Sequence, residues 1–157
     1  MSSWDKAIAF TLSYEGSTYE NDPNDSGGET KYGISKKAYP NEDIKAMTLE
    51  RAKEIYRNDY WNAVMGDELP EKLAMAVFDC AVNNGTITAI RALQSMLNVE
   101  ADGKMGPKTL TAARESGDRG FVLYLLYRAR LYMNIKSVTH WGNNWGTRLI
   151  RLAQECL

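Results

Sequence analysis

The sequence predicts a mainly α fold with a small β element after its first helix. Three observations predict it. Apolar residues recur at helical spacing along most of the chain. Residues 16–35 hold a dense run of Gly, Asn, Asp and Ser with one Pro, which is turn chemistry. No linker, low-complexity stretch or internal repeat divides the 157 residues, so they read as one compact unit with a core of its own.

The elements follow in order. Trp4, Ala7, Ile8, Thr11 and Leu12 place an amphipathic helix over residues 3–15, and Gly16 stops it. Residues 29–35 have β character and predict a small hairpin. Thr48 is a good N-cap, followed by the apolar stripe Leu49, Ala52, Ile55, Tyr56 and Tyr60. Pro70 marks the next helix start. Residues 73–82 are apolar nearly all round, the pattern of a central buried helix, and Gly85 closes it. A further helix covers 88–97, Asp102-Gly103 is a turn, and Gly106-Pro107 opens a short helix. Two final helices over 118–135 and 145–156 complete the chain.

Composition excludes several classes. Apolar residues make up 44% and charged residues 25%, ordinary for a globular protein. No apolar run approaches the ~18 residues of a membrane span. The N-terminus lacks the basic stretch, apolar core and small-residue cleavage site of a secretory signal. Accumulation in the cytoplasm is therefore expected, with any export by another route. Cys80 and Cys156 are the only cysteines and His140 the only histidine, too few for a zinc site or a Cys–His nucleophile. No metal, cofactor or nucleic-acid partner is expected, and the chain is expected to be a monomer.

Net charge is −1, but unevenly spread. Residues 1–86 hold nine Lys/Arg against fifteen Asp/Glu, whereas residues 87–157 hold ten against five. Between Arg119 and Gln154 there is no acid, while Arg119, Arg128, Arg130, Lys136, Arg148 and Arg151 are present. Such a segment either meets an anionic polymer of the cell envelope or pairs with the acidic half, and Arg148 in particular fits either role.

The chemistry concentrates in residues 15–35. Glu15 continues the apolar stripe of its own helix, so partial desolvation is expected. It also ends that helix, where the macrodipole disfavours negative charge. Both effects suit a proton donor at a leaving-group oxygen. Asp22, Asp25 and Glu29 follow closely. A loop folded back over the helix end would bring Asp25 or Asp22 to the ~6.5–9.5 Å separation at which a second carboxylate activates water. Thr30 would help hold that water, and Gly27-Gly28 would let backbone approach a sugar ring. The run from Asp22 to Gly27 also mimics the first half of a calcium loop, but the twelfth position, where a bidentate Glu is needed, is Gly33.

Together these residues resemble the signature of glycoside hydrolase family 108. The matching positions are Glu15-Gly16, Tyr19, Asn21-Asp22-Pro23, Asp25, Gly27-Gly28, Thr30 and Tyr32-Gly33-Ile34, then Tyr60-Trp61 and residues 78–85. Leu93-Gln94, Asp102-Gly103, Gly106-Pro107, Thr109, Arg128 and Trp145-Gly146 with Arg148 resemble the peptidoglycan-binding region usually joined to that family. The resemblance implies an N-acetylmuramidase of the lysozyme-like superfamily: residues 1–86 catalytic, residues 87–157 wall-binding, packed as one unit. It implies Glu15 as the catalytic acid. The segment from Glu15 to Tyr19 is one residue longer than in many relatives, which leaves Asp25 and Asp22 both open as the water-activating group. Asp25 ranks first because Glu15, Asp25 and Thr30 resemble the trio of phage-type lysozymes.

Tyr19, Asp22, Tyr32, Trp61, Asn83 and Asn84 are the candidates for binding sugar, through ring stacking and hydrogen bonds to N-acetyl groups. For Trp61 core packing is the competing role. The Trp141–Trp145 stretch is either packing or a wall contact. Peptidoglycan is the expected partner, and a phage endolysin released through a separate pore is the expected type. A lytic transglycosylase and a non-catalytic wall-binding module are the alternatives.

Overall fold

The first helix, α1 (Ser3–Glu15), starts where residue types dictate. The Ser2 side chain accepts from the Asp5 backbone N–H, and the Asp5 carboxylate accepts from the Ser2 N–H, so two orphan donors are satisfied reciprocally. A computed structural model describes residues 1–21, 27–133 and 138–156, with the backbone alone at 138–143 and 145. The helix ends at Gly16, whose φ of 71° a residue with a Cβ adopts only under strain.

Strands β1 (Thr30–Lys31) and β2 (Ile34–Ser35) form the expected hairpin, antiparallel, with Thr30 opposite Ser35 and Lys31 opposite Ile34. Its two-residue turn is Tyr32-Gly33, both at positive φ, the combination that matches the twist of paired strands. On the other side of Thr30 an isolated bridge pairs it with Glu20, which ties the segment after α1 to the hairpin.

Helix α2 (Leu49–Tyr56) is capped by Thr48, whose side chain accepts from the Arg51 N–H, and runs on into one wide turn at Arg57–Trp61. A short tight turn at Gly66–Glu68 precedes α3 (Glu71–Asn84). Every residue of α3 from Leu73 to Ala81 is buried, and α1, α4 and α5 pack around it. Gly85 alone separates α3 from α4 (Thr86–Met96). The segment α5 (Pro107–Met133) is two helices in succession, divided at Gly117, whose φ of 54° and ψ of −150° are not helical, as the sequence expects of a short helix followed by a longer one. Helix α6 (Val138–Cys156) begins seven residues before the expected 145.

Trp4, Trp61 and Phe78 form a triangle of edge-to-face rings at 5.5–5.6 Å. Gly66 lies flat on the Trp61 indole, where a Cβ would collide with ring carbons. The indole N–H donates to Asp67 at 3.0 Å. A second buried centre is Gln94. Its amide nitrogen donates to Asp102, to the Lys104 carbonyl and to Thr109, and its oxygen accepts from the Gly103 N–H. The residues that resemble a wall-binding motif thus lock the loop between α4 and α5. Both cysteines are free; Cys80 is buried, and burial pushes its thiol pKa up. Among the described residues no helix is long and apolar enough to cross a membrane.

Candidate active site

Helices α1 and α3 run in the same direction. Lys6 pairs with Glu71 near their starts at 2.6 Å, and further along Glu15 and Asp79 share one arginine, Arg148 of α6. The C-terminal ends of both helices therefore face the same region. Glu15 stands there with its side chain 24% exposed, reachable from solvent but set against protein.

Three elements close on Glu15. The turn of the β-hairpin packs on it: a Cβ on Gly33 would lie 2.8 Å from Glu15 Oε2 and 2.6 Å from the Tyr56 hydroxyl. Tyr56 of α2 fixes that turn by donating to the Tyr32 carbonyl at 2.9 Å. Burial first, then the negative charge of Glu15, holds the Tyr56 hydroxyl in its protonated donor form. From α6, Arg148 Nη1 donates to Glu15 Oε1 at 3.1 Å.

Arg148 is itself held. Its Nε and Nη2 both donate to Asp79 Oδ1, at 2.9 and 2.7 Å, and its guanidinium lies 4.6 Å above the Tyr14 ring. Asp79 Oδ2 accepts from Arg128 Nη2 at 2.8 Å, and the same nitrogen donates to the Tyr132 hydroxyl. Asp79 is 1% exposed and Arg128 not at all. Burial works against charge on both arginines, but Asp79 outweighs it and keeps both pKa values above the ordinary range. Removing one partner of such a buried pair typically costs about 3–5 kcal/mol.

The other candidates fall into groups. Thr30 sits in β1, half-buried, its hydroxyl 3.4 Å from the Gly28 carbonyl. Tyr32 holds the first position of the turn beside Gly33, with the Lys31 ammonium 5.5 Å from its ring. Tyr19 is half-buried and donates to Glu29 at 2.9 Å. Asn83 lies one turn beyond Asp79, exposed, its amide donating to the Asp79 carbonyl at 2.7 Å; Asn84 beside it is half-buried. Asp22 and Asp25 lie outside the described residues, as does Lys136, and of the Trp141–Trp145 stretch only Asn144 has a described side chain.

Trp61 is the correction. It is 0% exposed, enclosed by Trp4, Phe78 and Gly66, and offers no ring face to a sugar; the core-packing role is the one it has. The basic segment also divides. Arg128 and Arg148 pair inward with acids of the first half, whereas Arg119, Arg130 and Arg151 remain exposed.

Sequence reasoning missed Asp79 and Tyr56 as site residues. The signal was present for the arginines: Arg128 lies one turn from Tyr124 and from Tyr132, and Arg148 one turn from Leu152, all buried. A charge on an apolar stripe demands a buried partner, and Asp79 within the apolar run of α3 is that partner.

The family model described as Glycosyl hydrolase 108 matches residues 8–85, which span Glu15, the hairpin, Tyr56 and Asp79. SagA of Brucella abortus has a similar solved structure, with a TM-score of 0.86 and 32% sequence identity over 98% of this chain and 93% of that one. No curated protein matches the sequence. With a family match across the site and a relative this similar along nearly the whole chain, the protein belongs to the glycosyl hydrolase 108 family, whose members degrade peptidoglycan.

Proposed function

We propose that the protein is an N-acetylmuramidase that hydrolyses the β-1,4 bond between N-acetylmuramic acid and N-acetylglucosamine, with Glu15 as general acid. The observation that carries this reading is the setting of Glu15. It is a partly exposed carboxylate at the shared end of α1 and α3, with a Cβ-less turn against one oxygen. In the reaction Glu15 gives its proton to the glycosidic oxygen. The C1–O bond breaks, and water adds at C1 while Asp25, or in its place Asp22, takes the water's proton. Thr30 helps hold that water, while Tyr19 and Tyr32, with Asn83 and Asn84 at the end of α3, supply polar and aromatic contacts for the sugars on either side. Residues 87–157 are the wall-binding region, and release through a separate pore as a phage-type endolysin is the biological role we favour.

Glu15→Gln tests the assignment, because an amide donates no proton to the leaving oxygen. Loss of general acid catalysis should cut the rate by about 10²–10⁴-fold or more, with circular dichroism unchanged. A folded variant that keeps a tenth of wild-type activity would sink the assignment. Mass spectrometry of digested wall separates the chemistries: reducing ends mark hydrolysis, and anhydro ends would mark a transglycosylase instead.

A further inference from the structure

Resting on Glu15 as the acid, we propose that Arg148 is a positioning residue. Clamped by the buried Asp79–Arg128 pair, it takes up one Glu15 oxygen and stabilises the carboxylate that proton donation creates. The geometry assigns the two oxygens different work. Arg148 Nη1 donates to Oε1, and a guanidinium has no acceptor, so Oε1 is occupied as an acceptor. The proton is then carried by Oε2, the oxygen that faces the bare α-carbon of Gly33. When the Oε2–H bond breaks, the proton joins the leaving glycosidic oxygen, which keeps the electron pair of the broken C1–O bond. The negative charge left on Glu15 spreads over both oxygens and meets a cation already in place.

The cation is in place because its freedom has been removed. Two of its three nitrogens are committed to Asp79 Oδ1, and Asp79 cannot swing, because Arg128 holds its other oxygen. Only Nη1 is left to point at Glu15. The charges also balance. Asp79 neutralises one arginine of the buried pair and leaves one positive charge over, matched when Glu15 becomes ionised. A preorganised charge aimed where charge develops costs no reorganisation during the reaction. The Tyr56 hydroxyl of α2 also lies close enough to feel the Glu15 charge, and Arg151 of α6 lies 5.8 Å from the Tyr14 ring. Asp22 and Asp25 lie outside the described residues.

The test is the pH dependence of kcat on soluble glycan fragments for wild type, Arg148→Lys, Arg148→Met and Glu15→Gln, with a thermal melt of each. Arg148→Met should lower kcat by about a hundredfold. Its alkaline limb should move up, because the cation that favours the ionised form is gone, with KM nearly unchanged. Arg148→Lys keeps the charge but not the three-way fork, and should fall between the two. If Arg148→Met does not fold, Arg148→Lys is read by the same criteria. Folded variants with the wild-type kcat and the wild-type alkaline limb would overturn the proposal, while an inactive Glu15→Gln would leave the acid assignment standing. A change in melting temperature or KM alone would likewise reduce Arg148 to a structural role. An active Glu15→Gln would remove both.

Discussion

Gly33 and Glu15 are packed so closely that the glycine has no room for a side chain. A Cβ at position 33 would lie 2.8 Å from Oε2 and 2.9 Å from the Glu15 Cβ, and the backbone φ there is 76°. Gly33→Ala should therefore push the hairpin turn off Glu15. We expect activity on walls to fall at least tenfold, with a stability loss of about 1–2 kcal/mol from the left-handed backbone. Full activity in this variant would show that the turn yields without disturbing the acid.

Trp61 separates core from sugar binding. Trp61→Ala should cost about 3–5 kcal/mol, as for other buried aromatics. At a temperature where the variant remains folded, its KM for glycan fragments should match wild type. A raised KM with an unchanged melt would restore the sugar-stacking role that its burial argues against.

Asp25→Asn should lower turnover more than it weakens glycan binding, if Asp25 takes the proton of the attacking water. Asp22→Asn is the matched control. The larger loss from Asp22→Asn would reverse their order, and full activity in both would favour a one-carboxylate mechanism.

The exposed arginines predict a salt effect. Arg91 and Arg130 line a groove between α4 and α5 with Ile87, Tyr127 and Leu131, and no carboxylate lines it among the described residues. Binding to intact walls should weaken as salt rises, since exposed charges are screened over ~8 Å at physiological ionic strength. Reversing both charges should mimic high salt, while cleavage of a short neutral oligosaccharide stays constant. Wall binding indifferent to salt and to both substitutions would leave these residues as solvated surface.

Local rules made much of this fold legible. The Gly16 stop, the Thr48 cap and the nearly continuous apolar run of α3 each follow from residue type at a fixed position, and each stands where it was expected. The break before residue 118 is legible too: Gly117, at φ 54° and ψ −150°, divides α5 into a shorter and a longer helix where the sequence expects two. At the site, Glu15 was legible because a helix-terminal acid on an apolar stripe is locally odd. Its partners were not. Asp79 is 64 positions further along the chain and Arg148 is 133, and no periodicity pairs a carboxylate with an arginine that far away. Trp61 erred the other way, because an aromatic before a loop suits a binding face and a core equally well until its neighbours are known.

The pairing of Glu15 with Arg148 also sets an order of events during biosynthesis. The two residues stand 133 positions apart, on α1 and α6. At about 5–20 residues per second, a ribosome makes the acid on the order of ten seconds before its cation. A nascent chain can assemble α1, the hairpin and α3 while Asp79 and Glu15 still lack α6. Helix α6, made well after α1 and α3, is thus the one that completes the ionic cluster, and a chain cut short before Arg148 leaves the ribosome with its acid unmatched.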